Sequence, residues 1–196
     1  MKIIIEPYKE DWGRQFMEIK EELLFLLKDF NPMIEHFGST SVLGLAAKPV
    51  IDVLVGIQDV NKFELLAKGI LESKNYIYME AYNRLIPKKR LFIRLKDEID
   101  TEAFEEIYYE LEDIPHDKLN YARIAHVHVW EYKSENWIRH LAFREYLKFH
   151  DDVKLKYENL KKELSSKDWR DGMEYNIMTE KISSLKGKKK KRFYGI

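Results

Sequence analysis

The stretch "HFGSTSVLGLAAKPVIDVLVGI", residues 36–57, decides the fold. It closes on "VIDVLVGI", an apolar run of strand length and β-branched composition. Asp52 interrupts that run. A core strand has no use for an ionised carboxylate, and a loop has no use for so many Val and Ile residues. The stretch therefore reads as two strands joined by a turn of small residues. If Phe37 ends the first strand, Gly38 permits close backbone approach and Ser39 presents a hydroxyl. The following "TSVLG" is expected to form a helical turn whose N–H groups face the same gap, an arrangement suited to anions. Asp52 lies 13 positions after Ser39 (52 − 39) in the neighbouring strand, placed to face the turn. A carboxylate beside a phosphate cradle calls for a cation between them, and Mg²⁺ is the hard, oxygen-seeking choice. The plainer alternative is a partly exposed strand residue next to an ordinary turn.

Working outward, "KIIIEP" is a short β-branched run closed by Pro7 and is expected to be an edge strand. Apolar residues at Trp12, Phe16, Ile19, Leu23 and Leu26 or Leu27 recur at helical spacing, and Asn31-Pro32 ends that helix. "MIEHFGS" alternates as a strand, residues 60–71 read as an amphipathic helix, and "YIYME" and "RLFIRLKD" read as strands joined by a turn near residues 83–89. The acidic, aromatic segment 97–120 is expected to be an excursion from the sheet. It is read as one helix ended before Pro115, acting as a surface insertion or, alternatively, a lid. "RIAHVHVW" is a further strand. Beyond Ser134 the pattern turns helical: residues 136–150, 152–164 and 168–185 read as three helices, with Ser134 and Asp168 as caps. The tail "KGKKKKRFYGI" is basic, either a solvated end or a contact for phosphate-rich partners. The expected organisation is a core over residues 1–133, a helical region over 134–186 packed on it, and a basic tail over 187–196.

Two further groups carry chemistry. On a strand, His126 and His128 project to one face, where two imidazoles can hold a metal or contact phosphate; a polar outer face is the alternative. On helices, His140 and Arg144, and likewise Tyr157 and Lys161, are four apart and share a face. They are either phosphate grips or ordinary surface pairs.

Composition removes several classes. The 196 residues hold no cysteine, which excludes disulfides, thiolate catalysis and cysteine zinc sites. With 34 basic and 34 acidic residues the formal net charge is zero, so no whole-molecule field draws in nucleic acid or membrane. A basic tail on a neutral chain leaves the remainder acidic, which opposes a nucleic-acid groove. Only a three-residue apolar run, Ile3 to Ile5, precedes Glu6, so no signal peptide is expected; neither is a membrane span, and the chain is expected to be cytoplasmic.

The two long blocks "HFGSTSVLGLAAKPVIDVLVGI" and "AHVHVWEYKSENWIRHLAFREYLKFHDDVKLKYENLKKEL" resemble, in order, the signature blocks of the GrpB family of the nucleotidyltransferase-fold superfamily. The resemblance implies a mixed α/β (α+β) fold: a nucleotidyltransferase-like mixed β-sheet with flanking helices, followed by a C-terminal helical region. In that superfamily a Gly-Ser turn holds nucleotide phosphates, and an acid-x-acid pair with a third acid on a later strand binds Mg²⁺. Gly38 and Ser39 match the turn and Asp52 the first acid. Leu54 stands where the second acid belongs, and His126 and His128 stand where the third is expected. A His-Asp-His set suits Mn²⁺ or Zn²⁺ better than Mg²⁺. The resemblance implies a nucleotide or other phosphorylated small molecule at Gly38, Ser39 and Thr40. Lys48, Arg144 and Lys161 would neutralise its charge, and Asp52, His126 and His128 would serve as metal ligands and catalytic groups. Nucleotidyl or phosphoryl transfer to a small-molecule acceptor is the implied reaction. A catalytically inactive phosphate-binding protein of the same fold is the alternative.

Overall fold

Helix α1 (Asp11–Leu26) buries Trp12, Phe16, Ile19 and Leu23, the residues whose spacing predicts it. Each large apolar side chain so removed from water stabilises the fold by roughly 1.5–3 kcal/mol. Asn31, with φ 44°, turns the chain into β1 (Met33–Phe37). A 3₁₀ turn (Ser39–Ser41) and a loop lead to β2 (Ile51–Ile57), then α2 (Phe63–Leu71), β3 (Tyr76–Tyr78) and β4 (Arg90–Leu95). Helix α3 (His116–Ala122) precedes β5 (Arg123–Glu131), and α4 (Glu135–Phe149) and α5 (Asp151–Ser165) follow. The structure, a computed structural model, describes residues 2–169 together with Glu174, Tyr175, Met178 and Thr179. The expected third C-terminal helix over 168–185 falls largely outside the described residues, and the basic tail falls wholly outside them.

The five strands form one mixed sheet in the order β1-β2-β5-β4-β3. Only β2 and β5 run parallel; the other neighbours are antiparallel. One face is covered by α1 and α2. Ile51, Val53, Val55 and Ile57 of β2 and Ala125, Val127 and Val129 of β5 pack there in the main core. The other face is covered in two pieces. Trp137 of α4 joins Phe37, Leu54 and Trp130. Segment 97–122 supplies Tyr108, Ile114 and Leu119, which pack on Ile77 and Ile93. Ser134 caps α4 as expected, its hydroxyl accepting from Trp137 N at 3.4 Å.

Two expectations are corrected. Residues 3–6 are no edge strand: only Glu6 pairs, by a single bridge to Ala47. Pro7 has no N–H to continue the ladder, and Ile3 and Ile5 pack instead with Leu160, Leu164 and Trp169. Segment 97–120 holds no helix before Pro115. It carries short 3₁₀ turns at Thr101–Ala103 and Leu111–Asp113, and α3 begins after the proline, which stands at its N-cap and has no N–H to leave unpaired there. Between the turns the chain runs beside β3, with Tyr78 N donating to Glu106 O at 2.8 Å and Tyr108 N to Tyr78 O at 3.0 Å. The segment is therefore part of the core's cover, and none of it lines the cleft described next.

Candidate functional site

The parallel register sets Asp52 beside His126 and Leu54 beside His128, so all four side chains leave the sheet on one face. His126 Nδ1 lies 3.5 Å and His128 Nε2 3.7 Å from the same Asp52 Oδ1. Both distances are long for a hydrogen bond. They suit ligands of one ion: a nitrogen and an oxygen each about 2.0 Å from a tetrahedral zinc lie about 3.3 Å apart. All three ligand atoms fall within 4.8 Å of one another. Both ring nitrogens of His128 are buried without a hydrogen-bond partner, and a bound ion would satisfy the one that faces Asp52, Nε2.

Gly38 closes on this carboxylate. Its φ is 72°, and a Cβ there would meet Asp52 Oδ2 at 2.3 Å. Only glycine permits that approach. Ser39 follows, and its Oγ accepts from Lys161 Nζ of α5 at 3.0 Å. Lys161 also donates to Ala46 O and lies against the Tyr157 ring, and it is 3% exposed. A cleft of about 190 Å³ holds these groups together with Lys48, His140 and Arg144. Every residue expected at the site thus lines one cleft, including Thr40, but their roles divide. The Thr40 hydroxyl pairs with His36 Nε2 at 3.0 Å, and that ring stacks on Phe16 of α1. Arg144 donates to Glu35 and to the His36 carbonyl through Nη1 and to Glu145 through Nε, so much of its guanidinium secures β1 to α4.

Burial governs the electrostatics. It pushes His126 down to about 4 and His128 and His140 down to about 3, so the imidazoles are neutral at ordinary pH. It also lowers Lys161 to about 7 and Lys48 to about 8. Burial pushes the Asp52 carboxyl up, but the two neighbouring imidazoles outweigh this and hold it well below the usual carboxylate range. An ionised carboxylate and neutral imidazoles are the protonation states that metal ligation requires.

Leu54, where an acid would complete an acid-x-acid pair, is 0% exposed and packs with Phe37, Trp130 and Trp137. A carboxylate there would be buried among apolar groups, so the donor set stops at one aspartate and two histidines. The residue that sequence reasoning missed is Arg139. It lines the cleft from α4, exposed and without an ion pair among the described residues. Its position one residue before His140 was the available signal.

The family profile described as GrpB protein matches residues 2–184. The chain belongs to the GrpB family. It is similar to the Glutamate-rich protein GrpB of Alkalihalophilus pseudofirmus, 30% identical over 85% of this chain and 83% of that one. The UPF0157 protein YqkA of Bacillus subtilis is 30% identical over 84% of this chain and 40% of its own length. The crystal structure of GrpB from Enterococcus faecalis superposes with a TM-score of 0.69 at 30% identity, covering 95% of this chain and 98% of that one. The mixed α/β architecture is therefore shared with a solved GrpB protein. No helix among the described residues is long and apolar enough to cross a membrane.

Proposed function

We propose that the cleft binds one divalent metal through Asp52, His126 and His128 and, beside it, the phosphate of a nucleotide or other phosphorylated small molecule. The observation that carries this reading is the shared Asp52 oxygen, approached by two neutral ring nitrogens at 3.5 and 3.7 Å. A two-imidazole, one-carboxylate set favours Mn²⁺ or Zn²⁺ over Mg²⁺. When bound, such an ion polarises a phosphoryl oxygen. Lys161, tethered to Ser39, supplies a cation at the Gly38-Ser39 bend, and Lys48 and Arg139 add charge at the cleft wall and mouth. At about 190 Å³ the cleft admits an ion and a phosphate group rather than a whole nucleotide, whose remainder would lie outside it.

Transfer of a phosphoryl or nucleotidyl group to a small acceptor is the reaction that this arrangement supports in a nucleotidyltransferase-like fold. Leu54 favours a second reading, a binding protein without turnover, because its apolar cluster leaves a single carboxylate to hold metal. Thermal unfolding with Mn²⁺ or Zn²⁺, with and without ATP, separates the two. Metal alone should raise Tm by several degrees, as a ligand at about a hundred times its Kd does. ATP should add to this only when metal is present, and Asp52→Asn should abolish both effects. Stabilisation by ATP without metal selects the binding reading, and no response to either metal overturns the metal site.

A further inference from the structure

A second hollow, of about 530 Å³, opens at the same edge of the sheet. The N-terminal segment and the start of α1 form one wall; residues 48–50, the residues just after β4, the end of α3 and the start of β5 form the others. Its volume falls in the range of small-molecule sites, about 300–1,000 Å³. Lys48 and Val50 line both this hollow and the cleft, so the two adjoin.

Arg123, the first residue of β5, lines this hollow and is only 8% exposed. Its Nη2 donates to Asn120 Oδ1, but its Nε is buried without a hydrogen-bond partner. An incompletely bonded guanidinium in a buried site is costly to a fold, a cost that an anionic occupant would offset. Burial lowers its pKa to about 10, which leaves it charged at ordinary pH. Two more cations face the hollow, Lys48 against the Tyr175 ring and Lys96 against the Tyr121 ring, and neither has an ion pair among the described residues. The acids that line it are mostly engaged: Glu6 with Lys9, Asp11 with Arg14 and Asp97 with Arg94. Glu98 is exposed at the rim.

We propose that this hollow binds a small molecule through a carboxylate or phosphate group held by Arg123, Lys96 and Lys48. The planar guanidinium fork offers such an oxyanion paired donors, and the two ammonium groups supply point charges around it. That occupant would be the acceptor, an assignment that rests on the proposed function: a hydroxyl oxygen of it bonds to the transferred phosphorus as the P–O bond to the nucleotide's departing phosphate breaks, and the hydroxyl proton passes to water. The anion site itself stands on Arg123 and the hollow.

The test uses metal-free, full-length protein, so that it does not depend on the metal centre. Inorganic phosphate, then succinate, is titrated while backbone amide shifts are followed by NMR. Saturable shifts are expected at residues 96–98 and 120–124 with at least one of the two probes. Arg123→Lys and Lys96→Gln should each weaken binding about tenfold, the loss of one charged contact. Lys68→Gln, on α2 and lining neither the hollow nor the cleft, should leave the affinity unchanged. Lys96→Gln lies at a half-buried position and carries the test if Arg123→Lys does not fold. Absence of shifts with both probes overturns the proposal. So do shifts confined to residues 38–40, or affinities untouched by both substitutions. A protein that binds the probe here but ignores Mn²⁺ and Zn²⁺ retains this site and loses the metal reading.

Discussion

The two faces of β2 follow opposite rules. Toward α1 and α2, Ile51, Val53, Val55 and Ile57 present one unbroken apolar surface, none more than 2% exposed. Toward α4 the sequence runs Asp52, Leu54, Gly56, and each step has a different task. Gly56 makes room for Trp137, whose ring atoms would lie 2.7 Å from a Cβ there. Leu54 fills the apolar cluster under that ring. Asp52 sits where the cover ends, its side chain 28% exposed. On this face of β2, charge is thus confined to the start of the strand, which α4 leaves uncovered, and two residues further along the same strand is already interior.

The contrast breaks most severely at Leu54→Asp. It would place a carboxylate among Phe37, Trp130 and Trp137 with no cation partner, and unfolding in urea should show a loss of about 4 kcal/mol. A milder result would mean that the cleft extends further under α4 than the packing indicates.

Gly38→Ala comes next. The left-handed backbone and the 2.3 Å approach to Asp52 Oδ2 together predict a loss of about 2–3 kcal/mol. Because the carboxylate must shift, metal-induced stabilisation should fall as well, readable in the same melts. Gly38→Ala without loss of metal response would show that the bend does not position Asp52.

Acid titration gives the smallest change per group. His36, His126, His128 and His140 have pKa values of about 3 to 4 when folded and 6.5 in the reference state. Above pH 6.5 neither state takes the proton and stability is full. As pH falls through the window toward 4, the unfolded chain binds protons that the folded one refuses. Stability should then drop by up to about 1.4 kcal/mol per pH unit for each such histidine. Below the reference value of 3.8 the depressed Asp52 carboxyl adds to the loss. Urea unfolding at stepped pH checks this, and a flat profile from neutral to pH 5 would contradict the burial of these rings. Saturating Mn²⁺ or Zn²⁺ should steepen the slope, since protons compete for the same nitrogens.

Much of this was legible beforehand. Strand alternation alone put His126 and His128 on one face, and the run after Pro49 marked β2. That Asp52 meets them came from resemblance, because spacing carries no information on which strands pair. The engaged hydroxyl of Thr40 was not legible either: His36 lies on the α1 face, and only the sheet edge brings the two together. Segment 97–120 misled because its aromatics serve an irregular strand-like passage beside β3, a role with no helical period to read. The hollow at Arg123 depends on four chain segments and has no local signature.

One consequence follows from where β5 lies. It is the last strand among the described residues and occupies the middle of the sheet, so His126 reaches Asp52 across 74 residues (126 − 52). Such distant pairing is slow to form, and until it forms the halves β1-β2 and β4-β3 share no ladder. Metal uptake during refolding should therefore trail every other spectroscopic change, reporting the moment at which the final strand is inserted between two waiting hairpin-like halves.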